Sequence, residues 1–507
     1  MSAVVVAPIS DKPHVSSELK QFLQQSSHYV IGFGGGLALG FISFPIFTRV
    51  FSVADYGRIE YVSKLLLLLT ALSKAGMQNS VLRFFDQKTF DTDKEAARRY
   101  YSTVFFGVTA TAAAVTIPLL LSGFLPESVK SPVISVLIFA SSLIFVRAMQ
   151  SILLSFLRIE ERTVAVNVLN IVIKATTLAG VLLLLFMGAS ASVRTYFLVV
   201  MGVESAIVLG ITGWLISRGL LRLRSFDPAL FRTAALFGLP MILHETSSIF
   251  LDAGDRVMVE HYLGPDPLGL YSVAYGLSAQ LNTVLMVPLN MAIVPVYMRL
   301  WNTEGRVKTS EFLNTTLDLF LMTGAGVMAI VFVLSRDTVT LMASSKYQGA
   351  DALIPIIVAG LLFSAAQMFL NAGLMIHKKT YAMAGVLAIS AAINFGMNAW
   401  LLPKIGLQAA AIATLVSYAF CTFVLAWMTN QVLPLKLAVK PLCGYSFAAF
   451  VVCLSVSRLE FGNAFLNCIG KSILCVSIYY AILYAIDSRV RTMSFKAWAH
   501  LSPQAPK

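Results

Sequence analysis

The chain has 507 residues, 57% hydrophobic and only 12% charged, with a net charge of +13. A soluble globular domain carries about 25% charged residues, so the composition excludes an ordinary water-soluble protein, and apolar runs near 20 residues place the chain in a membrane. The positive balance would point a soluble protein toward nucleic acid; here the placement of each lysine and arginine decides.

In chain order, residues 1–26 are mostly polar and show no cleavable signal peptide. Leu19, Phe22 and Leu23 suit a short amphipathic helix lying on the membrane. Fourteen apolar runs follow, at 27–49, 58–80, 101–123, 131–154, 164–187, 196–218, 229–251, 270–296, 314–334, 351–376, 381–402, 407–429, 438–456 and 464–486. Each approaches the ~20 residues that cross about 30 Å of hydrocarbon. The connections are too short for a soluble domain. With the N-terminus inside, cytoplasmic segments hold 24 Lys and Arg against 9 in external loops, five more lying in spans. That bias predicts cytoplasmic termini. The basic balance is therefore topology, and nucleic acid drops out.

The cysteines, Cys421, Cys443, Cys453, Cys468 and Cys475, lie in apolar segments without CxxC spacing. They read as small core hydrophobes, neither a disulfide framework nor a metal site.

The two halves echo each other. "FSVADYGRIEY" parallels "LGPDPLGLYSV", setting Gly57 over Gly269 at an offset of 212, and the same offset sets Gly76 over Pro288. "LRIEERTVA" resembles "LMIHKKTYA", with Thr163 over Thr380. The expected fold is all-α and polytopic: fourteen transmembrane helices, in two six-helix lobes around a central cavity plus a C-terminal helix pair. The boundaries are a cytoplasmic N-terminus 1–26, an N-lobe 27–218, a linker 219–228, a C-lobe 229–429, the pair at 430–486 and a cytoplasmic tail 487–507. Six spans per lobe is even, so the lobes share an orientation and are related by an axis along the membrane normal, with a substrate path between them.

Two glycine motifs imitate nucleotide loops. Gly32-Phe33-Gly34-Gly35-Gly36-Leu37 fails GxGxxG at its last position, and no strand precedes it. Ile469-Gly470-Lys471-Ser472 lacks the Walker glycine at Phe465. Gly32, Gly36 and Gly40 instead recur every four residues on one helix face, a spacing for close helix packing, and Pro45 follows where a backbone donor is lost. Span one is expected to pack closely and to bend. No nucleotide site is legible, and no metal site is expected.

Charges inside spans mark function, because a lysine or arginine at the helix centre costs about 2.5–3.5 kcal/mol on insertion scales. The first lobe holds Lys64, Lys74, Arg147 and Lys174. Asn167, Asn170, Lys174 and Thr177 make a polar stripe on span five; Ser390, Asn394 and Asn398 make one on span eleven. Tyr271, Tyr275, Ser278 and Asn282 line span eight, and Gln367 and Asn371 span ten. Span seven carries His244 and Glu245, with Asp252, Asp255 and Arg256 near its external end. The expected binding set is Arg147, Lys174, Lys64, Lys74, Asn167, Asn170 and Asn394, a cationic surface for an anionic, phosphate-bearing head group. His244, Glu245, Asp252, Asp255 and Arg256 are candidates for gating or for binding a coupling H+ or Na+. Gly32, Gly36, Gly40 and Pro45 are candidates for helix flexing.

These segments carry a family resemblance. "PIFTRVFSVADYGRIEYV" (45–62), "FGLPMILHETSSIFLDAGDRVMVEHYLGPDPLGLYSVAYGLS" (237–278), "KYQGADALIPIIVAGLLF" (346–363) and "IGLQAAAIATLVSYAF" (405–420) resemble the Wzx-type polysaccharide flippases of the multidrug/oligosaccharidyl-lipid/polysaccharide exporter superfamily. The resemblance covers nearly the whole chain. It implies alternating access and transfer of isoprenyl-pyrophosphate-linked glycan units across the bacterial inner membrane, for exopolysaccharide, capsule or O-antigen synthesis, alongside polymerase partners. Only Asp255 and Arg256 carry over from the family's span-seven motif.

Four rival readings compete with it. A cation-coupled drug exporter of the same superfamily would use acidic residues for cationic drugs, which the cationic first lobe opposes. A lipid II flippase shares the fold and the positive cavity. A glycan polymerase, an enzyme, needs a sizeable external domain that these loops do not supply. A major-facilitator carrier calls for a glycine- and arginine-rich loop after span two, where this chain has "RFFDQKTFDTDKEAARR". The expectation is a transporter, not an enzyme, without resident cofactors.

Overall fold

A computed structural model describes residues 34–85, 92–124, 132–435 and 439–492. Gly32, the amphipathic segment within 1–26 and the tail from 493 lie outside the described residues.

Among the described residues the structure is helical with no strand. The first half comprises α1 (Gly34–Val50), α2 (Val53–Ser73), α3 (Met77–Phe84), α4 (Lys94–Leu121), α5 (Pro132–Ala140), α6 (Ser142–Ile159), α7 (Thr163–Phe186) and α8 (Val193–Ser217). The second half comprises α9 (Pro228–Leu263), α10 (Pro265–Thr303), α11 (Gly305–Met342), α12 (Ile354–Leu370), α13 (Ala372–Ile376), α14 (Thr380–Ile405) and α15 (Gln408–Asn430); α16 (Val439–Val456) and α17 (Ala464–Ile486) complete the chain. Nine helical stretches among the described residues, one of them running through α5 and α6 together, are long and apolar enough to cross a membrane, and the bent α9 makes a tenth. The chain is a multi-pass membrane protein.

Local chemistry sets the helix starts. Ser52 caps α2 by accepting from Asp55 N; Asp93 caps α4 and Asp227 caps α9, where Pro228 follows at the first helical position. The helices outrun the apolar runs. Residues 252–263, expected as the exit of span seven, continue α9, where Asp252 and Asp255 find partners on α2, α10 and α15. α9 bends by 43° between Leu239 and Met241, at the proline that cannot donate to the helix ladder.

The two glycines matched by the internal offset meet. A Cβ on Gly57 would lie 2.7 Å from Gly269 N, and one on Gly269 would run into Val53 O. Repeat-equivalent residues that touch each other lie on the axis relating the repeats, so α2 and α10 cross where only glycine fits. The largest apolar core sits at this end and draws on both halves, with Phe44, Tyr56, Tyr271 and Tyr347 among its buried residues. At the other end of α2, the cores separate. One gathers Met77, Tyr100, Ile152 and Phe156; another gathers Tyr297, Phe320, Phe369 and Leu433.

The C-terminal pair is fastened to α11 at both ends. Lys471 Nζ lies 2.9 Å from Asp337 Oδ2, and Asn467 donates to Asp337 Oδ1. At the opposite end Arg489 pairs with Asp318 at 2.7 Å and with Asp487 at 2.8 Å, and Tyr445 donates to Asp318. The Arg489 hydrogen bonds hold the Asp487 carboxyl below the usual range.

Replacing Gly57 with valine should wedge α2 from α10 and cost about 1–3 kcal/mol or more. Thermal unfolding of the purified protein reads this as a lowered midpoint. Gly40→Ala, whose added Cβ meets nothing within 4 Å, should not lower the midpoint and should raise it slightly, since alanine favours the helix.

Candidate functional site: an ion-paired seam between the halves

α2 runs along α9, and two ion pairs tie them. Lys64 Nζ reaches Asp252 Oδ2 at 3.1 Å, and Lys74 Nζ reaches Glu245 Oε1 at 2.8 Å. Ten residues separate the lysines, or about 15 Å of helix. The Lys74 pair is the more enclosed, its side chains 8% and 24% exposed. Gln78 extends it: Lys74 donates to Gln78 Oε1 at 2.7 Å, Gln78 Nε2 donates to Glu245 Oε2 at 3.3 Å, and Ser151 donates to Gln78 Oε1 at 2.9 Å. Lys74 also ends α2: the chain breaks there, with Ala75 and Gly76 in the left-handed region at φ 49° and 67°. Gly76 lies against α9, where a Cβ on Gly238 would sit 2.8 Å from Gly76 C.

The other two binding candidates part company. Arg147 on α6 is neutralised by Glu204 on α8, with Nε to Oε2 at 2.9 Å and Nη2 to Oε1 at 3.1 Å, a two-point grip. Lys174 on α7 is exposed and, among the described residues, has no carboxylate partner; it donates to Gly36 O at 3.1 Å. The expected sign split between the halves is therefore corrected. Lys64, Lys74 and Arg147 are balanced by carboxylates, and Lys174 keeps its charge. Asn170 is exposed near it, Asn167 half-buried and Thr177 buried.

Span one also differs from its expected role. A Cβ on Gly36 would meet Lys174 Nζ at 3.6 Å and one on Gly40 nothing. This glycine face admits a cation and open space, and it does not seat a helix backbone. A cavity of about 230 Å³ lies beside it, lined by Gly40, Ser43, Tyr56, Glu60, Tyr196 and Gln280. α1 passes through Pro45, whose carbonyl accepts from Arg49 at 2.9 Å.

Asp255 and Arg256 are not at the end of a helix. Both are fully buried within α9, at 0% and 2% exposure, and bind each other at 3.5 Å. Asp255 Oδ2 accepts from Tyr271 and Thr414. Arg256 donates to Asp252 O at 2.8 Å and lies 4.3 Å from the Tyr275 ring centre, and Tyr275 donates to Asp252 Oδ1 at 2.5 Å. This network locks α9 to α10 and α15. Asn394, expected on the cavity wall, is 1% exposed and its side-chain oxygen accepts from Asn398; burial within α14 removes it from ligand reach. His244 is exposed on α9.

Glu60 and Gln280 escaped the sequence reading. Glu60 stands four residues before Lys64, one turn away on the same face, and that spacing was the available signal. Gln280 offered none beyond being polar in an apolar run.

The polysaccharide biosynthesis protein model matches residues 23–301, and the MatE model matches residues 240–400. No curated protein matches the chain by sequence. Among solved structures, the lipid II flippase MurJ in an inward closed conformation aligns with a TM-score of 0.72 at 13% identity, covering 90% of this chain and 98% of that one. An inward-facing multidrug resistance MATE transporter of the MOP superfamily aligns at 0.63 and 14%, covering 78% and 94%. A MATE transporter of Vibrio cholerae aligns at 0.53 and 13%, covering 82% and 97%. At these identities the likeness is one of fold.

Substituting Asp255 with alanine leaves Arg256 buried without its carboxylate. A loss of about 3–5 kcal/mol is expected, seen as a much earlier thermal transition. Lys308→Ala, which breaks an exposed pair with Glu311, should stay within about 0.5 kcal/mol of the unaltered protein.

Proposed function

The chain belongs to the polysaccharide biosynthesis protein family, and from that premise we propose that it flips an isoprenyl-pyrophosphate-linked oligosaccharide across the cytoplasmic membrane. As a member of the exporter superfamily that includes MurJ and MATE proteins, it is a transporter. The specific cargo is the proposal. It would serve exopolysaccharide, capsule or O-antigen synthesis and work with a polysaccharide polymerase.

The observation that carries this reading is the distribution of charge inside the bundle. A polar cargo crossing hydrocarbon needs a water-accessible path and a group that cancels its charge. The core at the Lys74 end is built on the first half with Ala234 of α9 packed into it, and Lys64 and Lys74 stand in the seam between the halves. Lys174 adds a positive charge with no carboxylate against it, on an exposed face beside the open glycine face of α1. A pyrophosphate carries two or more negative charges and suits lysine and arginine donors. Alternating access then requires the seam to open at one end while the glycine contact at the other holds the halves together. H+ or Na+ remains the proposed driving ion.

A drug exporter would invert this logic, taking organic cations on free carboxylates. In the seam, Glu245 and Asp252 are each neutralised by a lysine, which disfavours it. A lipid II flippase shares the fold, and its cargo differs from the proposed one only in the sugars and peptide.

The test replaces Lys174 with glutamine in cells otherwise depleted of the protein. Mass spectrometry of the isoprenoid lipids should show a pyrophosphate-linked oligosaccharide accumulating on depletion, cleared by the unaltered protein and retained by Lys174→Gln at normal membrane levels. Clearance by Lys174→Gln equal to that by the unaltered protein would sink the assignment of Lys174. Lipid II accumulating in place of an oligosaccharide would transfer the reading to the lipid II flippase.

A further inference from the structure

We infer that Glu245 is a built-in stand-in for the cargo's phosphate: in the closed seam its carboxylate occupies the oxyanion position that Lys74 and Gln78 offer, and cargo binding displaces it. The inference rests on the anionic-cargo reading above and adds to it the event that unlocks the seam.

The geometry at Lys74 is that of an oxyanion site. One Glu245 oxygen takes the ammonium at 2.8 Å and the other takes the Gln78 amide at 3.3 Å. Ser151, on α6, turns its hydroxyl onto Gln78 Oε1 at 2.9 Å. That leaves the Gln78 amide nitrogen facing the anion. All three supports come from the first half, and only the anion comes from the second. Two oxygens of the cargo's pyrophosphate make the same two contacts with more charge, since its two esterified phosphoryl groups carry about −1 each, about −2 together, against the carboxylate's single charge. Lys74 is 8% exposed and Glu245 24%, so the site is open on the carboxylate's side, where a competing anion would enter.

The exchange has a mechanical consequence because of where it happens. Lys74 closes α2 at the break through Ala75 and Gly76, both left-handed. An alanine at φ 49° is held in that strained conformation by its surroundings. The surroundings are α9: Gly76 packs on Gly238, and Ser80 donates to Ala234 O at 2.6 Å. When cargo phosphate replaces Glu245, the charge on Lys74 stays balanced while the ionic link from α2 to α9 disappears. Binding thus removes the ionic contact between the halves at this end and leaves the packing of Gly76 on Gly238 and the Ser80 hydrogen bond to hold them. The second pair behaves differently. Asp252 is also held by Tyr275 in its own half, so it is not free to yield, and Lys64–Asp252 stays as the fixed end of the seam.

The experiment uses full-length protein purified in detergent and titrated with inorganic pyrophosphate, followed by thermal shift and calorimetry. Glu245→Gln should bind pyrophosphate roughly fivefold or more tightly than the unaltered protein, the low end of ordinary coupling between sites. Glu245→Asp, which keeps the competing charge, should stay near the unaltered value. The Lys74→Gln, Glu245→Gln double variant should lose the gain. If Glu245→Gln alone does not fold, the double variant, with no charge left unpaired, carries the test and must bind no more tightly than the unaltered protein. Equal affinities for Glu245→Gln and the unaltered protein, or a double variant that binds more tightly, would overturn the inference. In either case, pyrophosphate binding that Lys174→Gln abolishes would leave the anionic-cargo reading standing. Pyrophosphate binding by none of the proteins would overturn both.

Discussion

A lysine or arginine at mid-membrane costs about 2.5–3.5 kcal/mol on insertion scales, and for five such cations the structure meets that cost with a nearby carboxylate. Lys64 has Asp252, Lys74 has Glu245, Arg147 has Glu204, Arg256 has Asp255 and Lys471 has Asp337. The pairs differ in what they join. Arg147–Glu204 ties the first half to itself, and Asp255–Arg256 sits in a buried network inside the second. Lys471–Asp337 fixes the C-terminal pair to α11. Of these five pairs, the two made by the lysines of α2 cross between the halves, which are also coupled by hydrogen bonds of Arg49 and Lys346 to opposing backbone carbonyls, a shared apolar core at one end and α9, whose first turns pack on α3 and α4. Packing this uneven favours motion at the Lys74 end.

Much of the fold was legible in the sequence because hydrocarbon imposes length and polarity on every crossing. The 212-residue offset set Gly57 over Gly269 as repeat equivalents; that the two touch is seen only in the structure. The longer helices were not legible. Residues 252–263 read as a polar exit because their partners, Lys64, Tyr271, Tyr275 and Thr414, stand up to 188 residues away. The same limit applies to the site. Intramembrane cations are visible in a sequence as expensive residues, but their neutralisation depends on which helices touch. Lys174 and Arg147 looked alike at that level, and only packing separates the exposed lysine from the arginine gripped by Glu204. Asn394 had the right spacing for a cavity stripe and is buried instead, because α14 turns that face inward.

The glycine face of α1 shows how one motif serves two ends. A GxxxG spacing permits close helix packing, yet here the missing side chains leave room for Lys174 Nζ and for the cavity lined by Glu60 and Gln280. Space next to a cation is what a bulky anionic head group requires. The same absence of side chains weakens the helix by about 1 kcal/mol per glycine relative to alanine, so the wall of the path is also a deformable one.

The central claim is that this bundle moves a pyrophosphate-linked glycan across a bilayer. The direct measurement reconstitutes the purified protein into vesicles holding a fluorescent isoprenyl-pyrophosphate oligosaccharide and adds a membrane-impermeant glycosidase. The account predicts that nearly all of the probe becomes cleavable, whereas vesicles without protein shield their inner leaflet. Equal shielding with and without the protein, in vesicles whose protein is folded and inserted, would contradict it.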